Sequence, residues 1–244
     1  MRILTEEDLR SSFSVDGIKK YTVPPDVFVT PAARDYLAAR GIAVSVVNEG
    51  KTDYDSVRGA SQTYTFFVDA KTGRRYSEKP EEMTHLYGNR LVPKTSPIID
   101  MRGKLDLLQS EIITAQVTSE RCGLGILTSQ LGEVLLFTRD ILAAEVLSMP
   151  MEEKKLLSMT SDELRKVSHD IKNRFVNKMH PLPEYTMGEM AAQLNRLRAV
   201  VRQTELSAAS AVPERRDIIK ALNRLSSCIH ILFCRLILGD YGDR

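Results

Sequence analysis

The stretch Leu194-Asn-Arg-Leu-Arg198-Ala-Val-Val-Arg202-Gln-Thr-Glu205 carries a helical signature that fixes the reading of the whole C-terminal part. At 100° per residue, Leu194, Leu197, Val201 and, one turn further on, Ala208 fall within an arc of about 60°. Arg198 and Glu205 lie just beside that arc, Arg202 lies further out on its flank, and Arg196 and Gln203 point away. Arg198, Arg202 and Glu205 follow one another at i, i+4 and i+7, on one side of the helix. Charge beside an apolar stripe is costly unless it is paired or holds an anion. The helix therefore presents guanidinium groups in a semi-buried site.

Outward from this segment, everything after about residue 98 has helical periodicity. The pattern predicts helices near 99–119, 126–148, 160–178, 187–211 and 214–237. Breaks fall at Gly123/Gly125, Pro150, Pro181/Pro183 and Pro213. Thr160-Ser-Asp-Glu163 has the form of a capping box. Short connections between five helices predict a mainly α protein with a five-helix bundle over 96–244. The last helix has an apolar stripe (Ile218, Leu222, Leu225, Ile229, Leu232, Leu236). A second, mixed face holds Asn223, Ser226 and His230 with Ile219. Such a face meets a ligand, a neighbouring subunit or simply solvent.

Residues 1–95 have a different texture and form a smaller α+β region. Thr30 is placed to cap a short helix that begins with Pro31 and stops at Gly41. Ile42–Val47 alternates as a strand. Thr63–Asp69, the turn Lys71-Thr-Gly73 and Arg74–Tyr76 predict a hairpin. Asn48–Ser61 reads as a polar loop.

Composition limits the function classes. Of 244 residues, 43% are hydrophobic and 27% charged, with a net charge of +2. That is a globular composition without the basic field that drives nucleic-acid binding. Cys122, Cys228 and Cys234 share no metal-ligand spacing, which favours a reducing cytoplasm over a disulfide framework. MRILTEEDLR lacks the apolar core of a secretion signal. Ile229–Leu238 is interrupted by Arg235 and too short to span a bilayer, so no membrane role is expected.

Several segments resemble the corrinoid (cobalamin) adenosyltransferases, most closely the ethanolamine-utilisation type and more distantly the propanediol-utilisation type. They are VTPAARDYLAARGIAV (29–44), KPEEMTHLYGNRLVPKTSP (79–97), MRGKLDLL (101–108), LNRLRAVVRQTE (194–205) and ALNRLSS (221–227). The last two, at this spacing, are the most specific. The resemblance implies a trimer of five-helix bundles with sites between neighbouring bundles. It also implies transfer of the 5′-deoxyadenosyl group of ATP to cob(I)alamin with release of triphosphate. Such a reaction needs cations for the triphosphate rather than a catalytic triad, and arginine's planar fork suits phosphate oxygens. By resemblance, Arg202 contacts ATP, Arg198 pairs with Asp106, Glu205 lies near the nucleotide and Asn223 helps hold it. Thr84 and Lys94 match phosphate-binding positions. Mg²⁺ accompanying the ATP, an electron-donating reductase, service in ethanolamine catabolism and a place in a bacterial microcompartment are further implications. Residues 1–95, which hold the Thr84–Lys94 part of the nucleotide site, could separately act as an interaction module that recruits the protein to a metabolic compartment.

Two departures qualify the match. The propanediol type has a glycine-rich turn before the matching threonine, where this chain has Pro80-Glu-Glu-Met83; without glycine, backbone amides approach phosphate less closely. The ethanolamine type often carries a cysteine-rich metal motif just upstream of the 79–97 segment. Phe66–Ala70 stands in that neighbourhood and no cysteine precedes Cys122, which implies an N-terminal fold without a thiolate metal site. The departures keep a second reading open, a non-catalytic corrinoid or nucleotide binder. Arg198 and Arg202 could instead make intersubunit salt bridges, and Asp106 could be solvated. His169 and His180 could be surface or capping residues, and His85 a structural hydrogen-bonding group. Met187 and Met190 have core spacing.

Overall fold

The computed structural model describes residues 2–4, 9, 20–23, 27–39, 42–46 and 66–242. The chain divides into two compact units, 1–62 and 63–244. The described residues 66–95, grouped by texture with the N-terminal segment, fall in the second unit with the bundle.

In the first unit, β1 (Arg2–Leu4) pairs in parallel with β3 (Val27–Val29), and β2 (Lys20–Val23) in parallel with β4 (Ala43–Val46). Helix α1 (Pro31–Ala38) starts with proline at its first position, and the Thr30 hydroxyl accepts a hydrogen bond from the Ala33 amide at 3.3 Å. Ala33 and Leu37 are buried with Leu9, Val29 and Ile42 in a small core. The Asn48–Ser61 loop lies outside the described residues.

In the second unit, β5 (Phe67–Asp69) and β6 (Arg75–Tyr76) form the expected hairpin. The Asp69 carboxylate accepts from the Lys71 and Thr72 amides at 2.8 and 2.9 Å, and Gly73 takes the left-handed conformation (φ 73°) that ends the turn. β7 (Met83–Tyr87) and β8 (Arg90–Pro93) complete a four-stranded sheet of order β6-β5-β8-β7, in which only β5 and β8 run parallel. Met83, Leu91 and Val92 are buried.

All five bundle helices are present: α2 (Pro97–Arg121), α3 (Gly125–Val146), α4 (Ser161–Asp170), α5 (Glu189–Ala211) and α6 (Arg216–Ile237). α5 packs against α2 and α6, α2 against α3, and α4 against α6. Their shared core includes Leu105, Leu108, Ile112, Leu131, Ile141, Leu194, Leu197, Val201, Leu222, Leu225 and Ile229. Met190 is buried and Met187 packs on the core, as their spacing implied. Arg102 on α2 binds Glu145 on α3 through two bonds, Nε–Oε2 at 2.7 Å and Nη2–Oε1 at 3.0 Å, and donates to the Leu86 carbonyl on β7 at 2.9 Å. One guanidinium thus ties two helices to the sheet.

The third helix is shorter than its pattern suggested. Its capping box forms, with the Glu163 amide donating to Thr160 Oγ1 at 3.3 Å and the Thr160 amide to Glu163 Oε2 at 2.8 Å. The helix gives way at Ile171 to a 3₁₀ turn (Ile171–Arg174). Beyond it, Asn177 Oδ1 accepts from the Met179 amide, a local bond that competes with the helical ladder, and Lys178 has φ 54°. Val176 is fully exposed, so no apolar face remains to hold a further turn against the bundle.

Candidate functional site: an arginine-lined cavity

The stripe read in the sequence buries Leu194, Leu197, Val201 and Ala208 completely or nearly so. Burial extends around α5 to Val200, Thr204 and Ser207, on the side that meets α2. There Thr204 Oγ1 lies 3.5 Å from the Lys104 carbonyl, and Ser207 donates to Asp100 at 2.6 Å. That leaves Arg198 half-buried and Arg202 exposed on the opposite flank. Arg196 points away, as its angle requires, and binds Glu111 at 2.7 and 2.8 Å.

The Arg198–Arg202 flank opens into a cavity of about 760 Å³ bounded by α4, α5, α6 and the 180–183 loop. A cavity of this size is in the range of ligand sites. Its lining contains Arg165, Arg198, Arg202 and Arg224, together with His169, His180 and His230, and no carboxylate. Among the described residues, none of the four arginines forms an ion pair. Arg198 has a long contact to Asn195 Oδ1 at 3.3 Å, and the buried Nε of Arg224 has no hydrogen-bond partner. A buried guanidinium N–H without an acceptor is expensive, and Arg224 also borders a second, smaller cavity with Glu152, Glu153 and Asp217.

The mixed face of α6 is the wall of this cavity: Asn223, Ser226 and His230 all line it. Asn223 Nδ2 donates to Glu205 Oε1 at 3.0 Å, so Glu205 orients the amide from behind. Deeper in, His230 Nε2 lies 3.0 Å from His180 Nδ1 and 3.6 Å from Cys234 Sγ. Burial, together with His180 and Arg198 nearby, pushes the His230 imidazole down to about 4, so it is neutral at pH 7. Burial pushes the Cys234 thiol up to about 11.

Of the residues singled out from the sequence, the structure brings Arg198, Arg202 and Asn223 to one cavity, with Glu205 bonded to Asn223. Asp106 does not join them within one chain. It is exposed on α2, and its carboxylate bonds no described residue, so the expected Arg198–Asp106 pair is absent from the single chain. Thr84 is half-buried on β7, and Lys94 follows β8. Neither lines the cavity, and Lys94 Nζ is held by Glu81 at 2.7 Å. His85 Nδ1 lies 3.0 Å from the Gly88 carbonyl, the structural bond that its position allowed. Sequence reasoning passed over Arg165. It named Arg224 without a role and placed no weight on His180 or His230. The mixed face of α6 was the signal that could have found His230; Arg224 lies about 100° round the helix from Asn223, and nothing in the helix phase marked it.

The profile of the cobalamin adenosyltransferase family matches residues 76–236. This chain belongs to that family. The match begins at the last residue of β6 and runs almost to the end of α6, so it takes in β7, β8 and all five bundle helices, and leaves out β5. The corrinoid adenosyltransferase EutT of Salmonella typhimurium is 28% identical over 94% of this chain and 90% of its own length. EutT of Escherichia coli K12 is 27% identical with the same coverage. Membership of a cobalamin adenosyltransferase family makes the chain a transferase that moves an adenosyl group to a corrinoid. No described helix is long and apolar enough to cross a membrane.

Proposed function

We propose that the protein transfers the 5′-deoxyadenosyl group of ATP to cob(I)alamin, and that the α4–α5–α6 cavity receives the polyphosphate. The observation that carries this reading is the set of four arginines around one cavity with no carboxylate among its lining residues. In the reaction, the Co(I) lone pair attacks C5′ of the ribose. A cobalt–carbon bond forms, the C5′–O bond breaks with its electron pair, and inorganic triphosphate leaves. Negative charge grows on the departing oxygen, and Arg198 and Arg202, already aimed into the cavity, stabilise it without reorganisation. Arg224 adds a further positive charge to the cavity wall. Asn223, oriented by Glu205, fixes the nucleotide, and Mg²⁺ arriving with the ATP would neutralise part of the phosphate charge.

Asp106 is exposed in the single chain and free to meet Arg198 of another copy. A homotrimer of bundles would supply that contact, and would also be the means of bringing Thr84 and Lys94 of one copy towards the cavity of another. Service in ethanolamine catabolism, with a reductase supplying the electron, follows from the likeness to the ethanolamine-utilisation type. The test is incubation with ATP, a reductant and cobalamin, followed spectroscopically. Conversion of the reduced corrinoid to the adenosylated form is expected. A folded protein that gives no product would sink the proposal.

A second reading, a non-catalytic corrinoid or nucleotide binder, draws on the Pro80–Met83 turn. The Met83 amide is taken by the Pro80 carbonyl at 3.1 Å, and Glu81 occupies Lys94. Calorimetry separates the two: tight cobalamin binding without ATP binding would favour the binder.

A further inference from the structure

His180, His230 and Cys234 place one nitrogen, one nitrogen and one sulfur within 4.8 Å of one another. We propose that these three side chains bind a thiophilic divalent metal ion, zinc in the first instance, in the inner wall of the cavity. The proposal does not depend on the adenosyltransfer reading.

Two of the three donor separations are close to those of a tetrahedral site with three protein ligands. Around zinc, bond lengths of about 2.0–2.1 Å to nitrogen and about 2.3 Å to sulfur place two nitrogens about 3.3 Å apart and a nitrogen and sulfur about 3.6 Å apart. The separations here are 3.0 Å between the imidazole nitrogens and 3.6 Å between His230 Nε2 and Cys234 Sγ. The third separation, His180 Nδ1 to Cys234 Sγ, is within 4.8 Å, so a shift of the loop-borne His180 ring of up to about an ångström brings the three into coordination.

The scaffold supports the same conclusion. His230 and Cys234 are four residues apart on α6, so they project from one face, one turn apart, on a helix whose other side is packed core. His180 arrives from the other side of the cavity, on a loop stiffened by Pro181 and Pro183. Its ring meets that of His230 edge-on, with centroids 4.9 Å apart. Among the described residues, this is also the one side-chain hydrogen bond from segment 176–184 to the bundle helices.

Hydrogen bonding alone leaves this trio poorly served. Nδ1 of His180 and Sγ of Cys234 both turn to one atom, Nε2 of His230, which has either one proton or one lone pair to offer. A cation at the shared point engages all three lone pairs at once, and the thiol proton is released to solvent as the metal binds. The two imidazoles line the cavity while the thiol lies buried behind them. The fourth coordination position therefore faces the cavity and takes water or a donor atom of a ligand there. A bound ion would staple the 180–183 loop to α6.

The test uses the full chain, reduced, without corrinoid or nucleotide, titrated with Co²⁺ as a spectroscopic probe. One equivalent should bind, with visible bands of a tetrahedral centre and a near-ultraviolet thiolate-to-cobalt charge-transfer band, and Zn²⁺ should bleach both. Cys234→Ser should remove the charge-transfer band, whereas Cys122→Ser should leave it intact. His180→Ala, on the exposed loop and harmless to folding, should weaken binding by more than the ~10–100-fold that loss of an outer contact costs. A wild-type titration without the charge-transfer band, a band that survives Cys234→Ser, or unchanged affinity in His180→Ala would each overturn the proposal.

Discussion

Arg102 and Arg215, near the C-terminal end of α3, each grip a carboxylate through two bonds, whereas Arg198 and Arg202, across the bundle on α5, grip none. Glu145 is 8% exposed beneath Arg102. Arg215 holds Asp217 at 2.8 and 3.0 Å and donates to the Ala144 and Met149 carbonyls, closing the α3–α6 connection. In that region every guanidinium direction has an acceptor from the chain itself. Around the cavity four guanidiniums converge without a carboxylate. A charge that the fold satisfies is part of the structure. A charge that the fold surrounds with like charges is held there at some expense of stability, and its partner must come from outside.

The contrast can be broken most sharply at Glu145. Glu145→Ala leaves Arg102 half-buried without its carboxylate and should lower stability by about 3–5 kcal/mol, read by denaturant unfolding. Activity per folded molecule should hold. If stability were unchanged, the distinction between the two regions would fail.

Arg202→Ala should do the reverse. Loss of one preorganised donor is expected to reduce adenosyl transfer by about 10²–10³-fold, while the melting temperature stays the same or rises slightly as like-charge repulsion is relieved. A fall in melting temperature with full activity would reassign Arg202 to the structural class.

Acid should weaken the carboxylate contacts of the first region. The Arg215 guanidinium, the Met151 amide and the Ile218 amide hold the Asp217 carboxyl well below the usual carboxylate range. Its folded-state value is depressed, so its contribution is fully present above the unfolded value of about 3.9 and fades as pH falls below it. The stability difference between wild type and Asp217→Asn should therefore shrink between about pH 4 and pH 2. A difference that does not vary with pH would remove this ion pair from the account.

Smallest of all should be Arg196→Ala. Its bond to Glu111 is bidentate, but the arginine side chain is 64% exposed, and such pairs contribute about 0–1 kcal/mol. A larger loss by thermal melting would mean that this pair is shielded, as in contact with another copy.

Much of the bundle was legible because helices declare themselves locally. The Leu194–Ala208 stripe, the Thr160–Glu163 capping box and the Gly123 break each involve residues within a turn or two of one another. The α4 terminus was misjudged because the Asx turn at Asn177 outcompetes a polar helical turn that has nothing to pack on. The boundary drawn by texture at 95 differs from the compact division at 62/63, because Arg102 ties α2 to the Leu86 carbonyl of the sheet, sixteen residues away. At the site, Arg198, Arg202 and Asn223 could be named from helix phase and resemblance. Arg165 could not: it sits on a mostly polar helix whose phase marks no face for a ligand.

By itself the sequence determined the five helices, their apolar faces, and the presence of uncompensated arginines beside the α5 stripe, because each of these follows from i, i+3 and i+4 spacing along one element. Only the tertiary structure decided which charges are answered. It set Glu145 under Arg102 and left Arg198 and Arg202 facing Arg165 and Arg224. It also drew His180 to His230 and Cys234 across some fifty residues of chain. Pairing between side chains on different elements depends on how those elements pack, and packing is settled by the whole core at once.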